Sequence, residues 1–241
     1  MTAKQTGLVF KSTGSWYTVE LEDERFLACR VRGKLKMAGL KMTNPVAVGD
    51  KVLIEEDLQH EGTGVITEIL PRENAVMRKS VHKTEHSHLI AANIDQAMLM
   101  VTIRHPRTSL GFIDRFAVST DAYRIPTSLI INKIDLLNEK DQEQLEEIKA
   151  IYEPIGIRCY PVSVKEGKSL KELDALLTNK TTLLAGHSGT GKSTLLNHLH
   201  PEGKQAVAEV STFANKGVHT TTFAEMFHLP FGGKIIDTPG I

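Results

Sequence analysis

Apolar and polar positions along the first part of the chain fall into short, turn-punctuated runs of β-character. Residues 7–11, 16–21, 25–31, 51–55 and 64–69 read as strands, with turns at Gly14 and at Val48-Gly49-Asp50. Five short strands in so short a segment predict a small closed barrel of the OB-fold type, with any other small β-domain as the alternative. From residue 89 the rhythm changes. Residues 95–103, 127–131, 158–162, 181–185, 222–229 and 234–236 read as strands, and 112–123, 139–153, 169–177 and 191–200 as helices. That alternation predicts an α/β domain, a parallel sheet covered by helices. The expected organisation is a barrel domain over 1–71, a linker over 72–87 and an α/β domain over 88–241.

Composition narrows the picture. Lys plus Arg number 29 and Asp plus Glu number 29, so formal net charge is zero and any nucleic-acid surface must come from local clustering. Two cysteines, Cys29 and Cys159, fit buried thiols in a reducing compartment rather than a disulfide framework. The sequence has no run long enough to span a membrane and no signal-peptide core near its start, which points to a cytoplasmic protein. His82, His86 and His88 lie close together but lack a carboxylate or thiolate companion, so a solvated connector is expected rather than a metal site.

Three motifs carry chemistry. Gly186-His187-Ser188-Gly189-Thr190-Gly191-Lys192-Ser193 fits G-x-x-x-x-G-K-[ST] between a predicted strand and a predicted helix, with Thr194 next in the chain. Small residues there let successive backbone N–H groups turn inward onto phosphates, and the helix N-terminus adds positive potential. Lys192 would reach the β- and γ-phosphates, and the Ser193 hydroxyl would hold magnesium. Asp237-Thr238-Pro239-Gly240 comes directly after an apolar strand and fits D-x-x-G. Its Asp237 sits where a carboxylate helps hold magnesium, and the Gly240 N–H falls where a γ-phosphate would be. Asn132-Lys133-Ile134-Asp135 fits N-K-x-D, in which the Asp135 carboxylate would accept from guanine N1–H and the exocyclic amine. Adenine offers no such donor pair there, so this motif argues for GTP over ATP. Asn132 would tether loops and Lys133 pack over the base, and Ser163-Val164-Lys165 reads as the companion loop to guanine O6. The threonine run Gly217-Val218-His219-Thr220-Thr221-Thr222 lies between the two phosphate motifs, where a switch threonine that closes on magnesium belongs. Thr221 is the expected ligand, beside Ser193 and Asp237.

The order of these motifs is unusual. N-K-x-D and its companion precede the phosphate loop, whereas in ordinary GTPases they come after D-x-x-G. The short joint between the helix 169–177 and the strand 181–185 would fuse the ordinary last helix to the ordinary first strand, a circular permutation. The loop after D-x-x-G then becomes the exit from the domain, so nucleotide-state changes would pull on a neighbouring domain.

The permuted motif set, the barrel before it and the Ala91-Ala92-Asn93-Ile94-Asp95 segment resemble the ribosome-small-subunit-dependent GTPase A family of bacteria. The resemblance implies a late-acting assembly factor for the small ribosomal subunit and its rRNA, with subunit-stimulated GTP hydrolysis, and a monomer is expected. Members of that family continue past D-x-x-G into a zinc-binding domain. The sequence given stops at Ile241, so it reads as truncated, and zinc is expected only in a longer form. The position after D-x-x-G is Ile241, which cannot orient water as a glutamine would. The resemblance makes His219 the catalytic candidate, against a surface switch histidine. Arg30, Arg32, Lys34, Lys36 and Lys41 form a stretch without acids, a candidate RNA surface. Trp16 and Phe26 are expected in the core rather than stacked on bases. The alternatives are a passive GTP/GDP-sensing RNA-binding module with negligible hydrolysis, and an ATPase or nucleotide kinase, which the N-K-x-D motif disfavours.

Overall fold

Strand alternation in the first seventy residues closes into a ring. A computed structural model describes residues 4–33, 44–79, 87–201 and 223–238. The chain divides into two units, Met1–Ile94 with Phe223–Met226, and Asp95–Thr222 with Phe227–Ile241. In the first, β1 (Gln5–Ser12), β2 (Tyr17–Leu21), β3 (Phe26–Val31), β4 (Lys51–Glu56) and β5 (Thr63–Ile69) build the barrel. Pairing runs β1–β2, β2–β3, β4–β5 and β1–β4 antiparallel, with β3–β5 parallel. This is the closed five-stranded ring of an OB-fold. Alternate residues point inward, so Val9, Val19, Leu21, Leu27, Cys29, Val52, Ile54 and Ile66 fill the barrel. Glycine is required where strands cross closely. A Cβ on Gly7 would lie 2.6 Å from a Val19 methyl, and one on Gly64 would lie 2.9 Å from an Ile54 methyl.

Two expectations for this unit change. Trp16 and Phe26 are exposed, not core residues. Phe26 begins a strand whose outward positions are 26, 28 and 30, so alternation places it outside. The Arg30 guanidinium lies 4.0 Å over the Trp16 ring, and Arg32 Nη2 donates to Glu55 Oε2 at 2.5 Å. Second, residues 75–79, read as connector, form β6 (Ala75–Lys79), which pairs with β7 (Ser87–Ala92). A register shift between Val76 and Met77 breaks the alternation that would have marked it. The turn before β4 is fixed by a buried ion pair. Arg72 donates to both Asp50 carboxylate oxygens at 2.6 and 2.7 Å and to the Pro45 carbonyl at 2.7 Å.

The second unit holds β8 (Gln96–Thr102), α1 (Leu110–Asp121), β9 (Thr127–Asn132), α2 (Glu139–Tyr152), β10 (Arg158–Pro161), α3 (Lys171–Leu177), β11 (Thr181–Ala185), α4 (Lys192–Leu199) and β13 (Lys234–Asp237), while the short β12 (Glu225–His228) begins in the first unit and ends in the second. The parallel order is β10-β9-β8-β11-β13. β8 is buried along its whole length, as expected for a central strand with both faces covered. Met98, Ile130, Leu173, Leu184, Leu195 and Ile235 anchor the core. α2 starts on a capping box formed by Asn138 and Asp141.

The joint between α3 and β11 is tightly held. Gln96 Nε2 donates to the Leu176 carbonyl at 2.8 Å and to Thr182 Oγ1 at 2.9 Å. The Lys234 amide donates to the Lys180 carbonyl at 2.8 Å. A Cβ on Gly233 would fall 2.3 Å from the Leu177 carbonyl oxygen, so only glycine allows that approach. Among the described residues, no helix is long and apolar enough to cross a membrane.

Candidate functional site

Parallel register puts the C-terminal ends of the strands at one edge of the sheet, where α/β proteins bind ligands. Thr102 pairs with Asn132, Leu99 with Ala185, and Leu184 with Asp237. The three motifs of the second unit therefore leave the sheet side by side.

The phosphate loop comes directly after β11. Gly186 has φ 146° and Gly191 has φ 108°, and both lack room for a side chain. A Cβ on Gly186 would sit 2.3 Å from the Met100 carbonyl oxygen, and one on Gly191 would sit 2.3 Å from Asn132 Nδ2. Lys192 opens α4 and is buried, with Nζ donating to the Gly186 carbonyl at 2.6 Å and the His187 carbonyl at 2.9 Å. An ammonium has three donors, and these two bonds use two of them. Burial pushes the Lys192 ammonium below the ordinary lysine range, and the Asp237 carboxylate opposes that shift. Thr190 Oγ1 also donates to the His187 carbonyl, at 2.9 Å. Ser188, Gly189, Ser193 and Thr194 are exposed. Asp237 ends β13 and is buried, and Thr238 Oγ1 donates to the Leu184 carbonyl at 3.0 Å, holding the start of D-x-x-G against the strand beneath the phosphate loop.

Asn132 joins the loops. Its Nδ2 donates to the Thr190 carbonyl at 2.8 Å, and its Oδ1 accepts from the Val164 amide at 3.1 Å. One buried side chain thus ties the phosphate loop to the Ser163-Val164-Lys165 loop. Lys133 has φ 67°, a left-handed conformation that disfavours a β-carbon. Its Nζ donates to the Gly189 carbonyl at 2.7 Å and to the His105 carbonyl. Ser163 Oγ donates to Asp135 Oδ1 at 2.6 Å and accepts from the Glu166 amide at 3.3 Å, which orients the carboxylate. Lys165 is exposed beside them.

The structure therefore gathers Asn132, Lys133, Asp135, Ser163, Val164, Lys165, residues 186–194 and Asp237 on one edge. His219, Thr221 and Gly240 lie outside the described residues. So do Lys34, Lys36, Lys41, His82 and His86.

Sequence reasoning missed the loop after β8. Thr102 and Thr108 close it: the Thr108 amide donates to the Thr102 carbonyl at 2.9 Å, and Thr108 Oγ1 accepts from the Thr102 amide at 3.1 Å. Arg104 Nη1 donates to Asp141 Oδ2 at 3.1 Å. Pro106 lies against Gly189, 3.5 Å from where its Cβ would be, and Phe112 stacks on His187. A loop at the C-terminal end of a central parallel strand was the available signal.

The RsgA GTPase family model matches residues 69–241, and the RsgA N-terminal domain model matches residues 6–66. The chain belongs to the RsgA GTPase family. Among curated relatives, the small ribosomal subunit biogenesis GTPase RsgA 2 of Bacteroides thetaiotaomicron is 48% identical over 98% of this chain and 75% of its own length. The RsgA protein of Flavobacterium psychrophilum is 47% identical over 98% of this chain and 73% of its own length. The crystal structure of YjeQ from Thermotoga maritima matches with a TM-score of 0.74 at 33% identity, covering 99% of this chain and 75% of that one. YloQ, described as a circularly permuted GTPase, matches at 0.68 and 28%, covering 99% and 72%. The second unit is a circularly permuted RsgA GTPase domain, and the chain is a GTPase.

Proposed function

We propose that this RsgA family member acts on the small ribosomal subunit during its maturation, hydrolysing GTP to GDP and phosphate at the edge formed by β8, β9, β11 and β13. The observation that carries the site assignment is the double hydrogen bond of Asn132, which links the loop built for phosphates to the loop built for a guanine ring. The relatives at 48% and 47% identity are named small ribosomal subunit biogenesis GTPases, which supports the partner.

Asp135, held by Ser163, accepts from the guanine N1–H and amine. Lys133 covers the base, and the backbone of Ser163, Val164 and Lys165 meets O6. The N–H groups of Gly186, His187, Ser188, Gly189, Thr190, Gly191 and Lys192, with the first turn through Thr194, cradle the phosphates. Among the described residues no group of three or more His, Cys, Asp or Glu side chains is placed to hold a metal ion. Magnesium does not need one, since it binds through one or two carboxylates together with substrate phosphates and water. Ser193 and Asp237 offer hard oxygen donors suited to it, with Thr221 as the switch ligand. The ion would neutralise charge on the transferring phosphoryl group. Gly240 donates toward the γ-phosphate, and His219 orients the attacking water.

On the barrel, exposed Trp16 with Arg30 over its ring, and exposed Phe26, support an rRNA-contacting surface, and the acid-free stretch with Arg32, Lys34, Lys36 and Lys41 supports it from the sequence. Cytoplasmic location and a monomeric state complete the reading.

The deciding experiment measures phosphate release from GTP with and without purified small subunits. Release should rise on adding subunits, and Lys192→Ala should lower it by about a hundredfold or more, the scale of losing one charged transition-state contact. Subunit-independent release, or an unaffected Lys192→Ala variant, would refute the assignment. A passive sensor would bind GTP and GDP yet release no phosphate in either condition.

A further inference from the structure

His187 occupies a position that the phosphate-loop motif leaves open, yet its main chain is a hub. Its carbonyl accepts from Lys192 Nζ and from Thr190 Oγ1, both at 2.9 Å. Whatever fixes His187 therefore fixes the lysine that meets the phosphates. The imidazole is half-buried, and the Phe112 ring lies against it, with centroids 3.8 Å apart and planes 27° from parallel. Phe112 is itself well placed to serve as a fixed surface. It sits in the first turn of α1, its amide donates to the Ser109 carbonyl at 3.0 Å, and the next residues on that helix, Ile113 and Phe116, are buried in the domain. A second support comes from the same loop, where Pro106 lies against Gly189 and the Lys133 ammonium bridges the His105 and Gly189 carbonyls.

We infer that Phe112 is a positioning residue for nucleotide binding: by stacking on His187 it sets the carbonyl on which Lys192 and Thr190 rest, and so holds the phosphate loop ready before nucleotide arrives. The inference rests on residues 186–193 being the phosphate site proposed above. A loop that is already ordered loses less freedom when ligand binds, which strengthens binding without any new contact. Stacking of flat rings adds a modest increment beyond the area they bury, enough for a change of about three- to tenfold in affinity. The loop touches phosphates in both nucleotide states, so GDP and GTP should weaken alike and kcat should move less than KM.

The test titrates the full chain with fluorescent GDP and a slowly hydrolysed GTP analogue. Phe112→Leu, which keeps apolar bulk, and His187→Ala should each raise Kd about three- to tenfold for both nucleotides. The double variant should be no weaker than the worse single one, because both changes break the same pair. Phe112→Tyr, which keeps the ring, should bind within about twofold of the unsubstituted chain. Lys192→Ala is the control for the site itself. If it binds normally, the phosphate-loop reading fails. If it loses binding while Phe112→Leu and His187→Ala retain it, or their losses simply add, the phosphate site stands and the positioning role of Phe112 is overturned. Should Phe112→Leu fail to fold, His187→Ala decides the question, since its side chain is half-buried on a loop.

Discussion

The barrel and the nucleotide edge are held together by different means. In the barrel, order comes from burial. Alternate strand residues converge on one apolar centre, and the close strand crossings at Gly7 and Gly64 leave no space for a methyl group. At the nucleotide edge, order comes from side chains bonded to distant main chain. Asn132 reaches Thr190 and Val164, Lys133 reaches Gly189, Lys192 reaches Gly186 and His187, and Thr238 reaches Leu184. An apolar core tolerates exchange of one hydrophobic residue for another of similar volume. A bond to a particular carbonyl tolerates almost no exchange. The two regions should therefore fail in different ways when altered.

Asn132→Ala should give the largest effect. It strips a buried carbonyl and a buried amide of their partner at once, at about 1–3 kcal/mol for each unsatisfied group. It should lower the melting temperature of the second unit and weaken guanine nucleotide binding at least about tenfold. Calorimetry and nucleotide titration of the same sample would check this, and unchanged affinity would remove Asn132 from the site.

Gly7→Val should come next and look quite different. The added groups would overlap Val19 and Ile54, since even a single Cβ would lie 2.6 and 2.8 Å from their methyls. Overpacking of this kind costs about 1–3 kcal/mol. Denaturant unfolding should report that loss, while nucleotide affinity stays within about twofold. A comparable fall in affinity would blur the contrast between the regions.

The smallest effect at neutral pH is alkaline sensitivity of the barrel. Burial pushes the Cys29 thiol up to about 12, above its unfolded value. The folded state then favours the neutral thiol, so this contribution is fully present below the unfolded value near 9 and is lost as pH rises toward 12. The loss should approach roughly 1.4 kcal/mol per pH unit within that window. Cys159, pushed up to about 11 by burial, should add a narrower alkaline loss in the second unit. Unfolding measured from about pH 8 to 11 should show the decline, and Cys29→Ala should flatten its barrel component.

Much of this was legible in the sequence, for reasons the contrast explains. Short β-rich runs set off by turn residues located all five barrel strands, and the phosphate loop announced itself through glycines whose Cβ atoms would strike Met100 and Asn132. The strand β6 was not legible, because its register shift destroys the pattern and its pairing with β7 is made by backbone groups common to every residue. The loop of Arg104 to Ser109 stayed hidden for a related reason. Its partners are the Lys133 ammonium, the Asp141 carboxylate and Gly189, all far along the chain, and nothing in its own residue types names them. Trp16 and Phe26 were expected inside because large aromatics usually bury, yet the barrel is already filled by smaller aliphatic residues.

The splice between α3 and β11 has a consequence for engineering the enzyme. The Lys234 amide is fastened to the Lys180 carbonyl, and β13 runs in register with β11 from Thr181↔Lys234 to Leu184↔Asp237. A ruler thus runs from the splice to the carboxylate, one strand length long, with its zero mark at Lys180. A residue added or removed within β11, after Lys180, would shift that reading and carry Asp237 out of step with the phosphate loop. Strand alignment thus brings Asp237 level with Leu184, at the end of the strand that leads into the loop of Lys192.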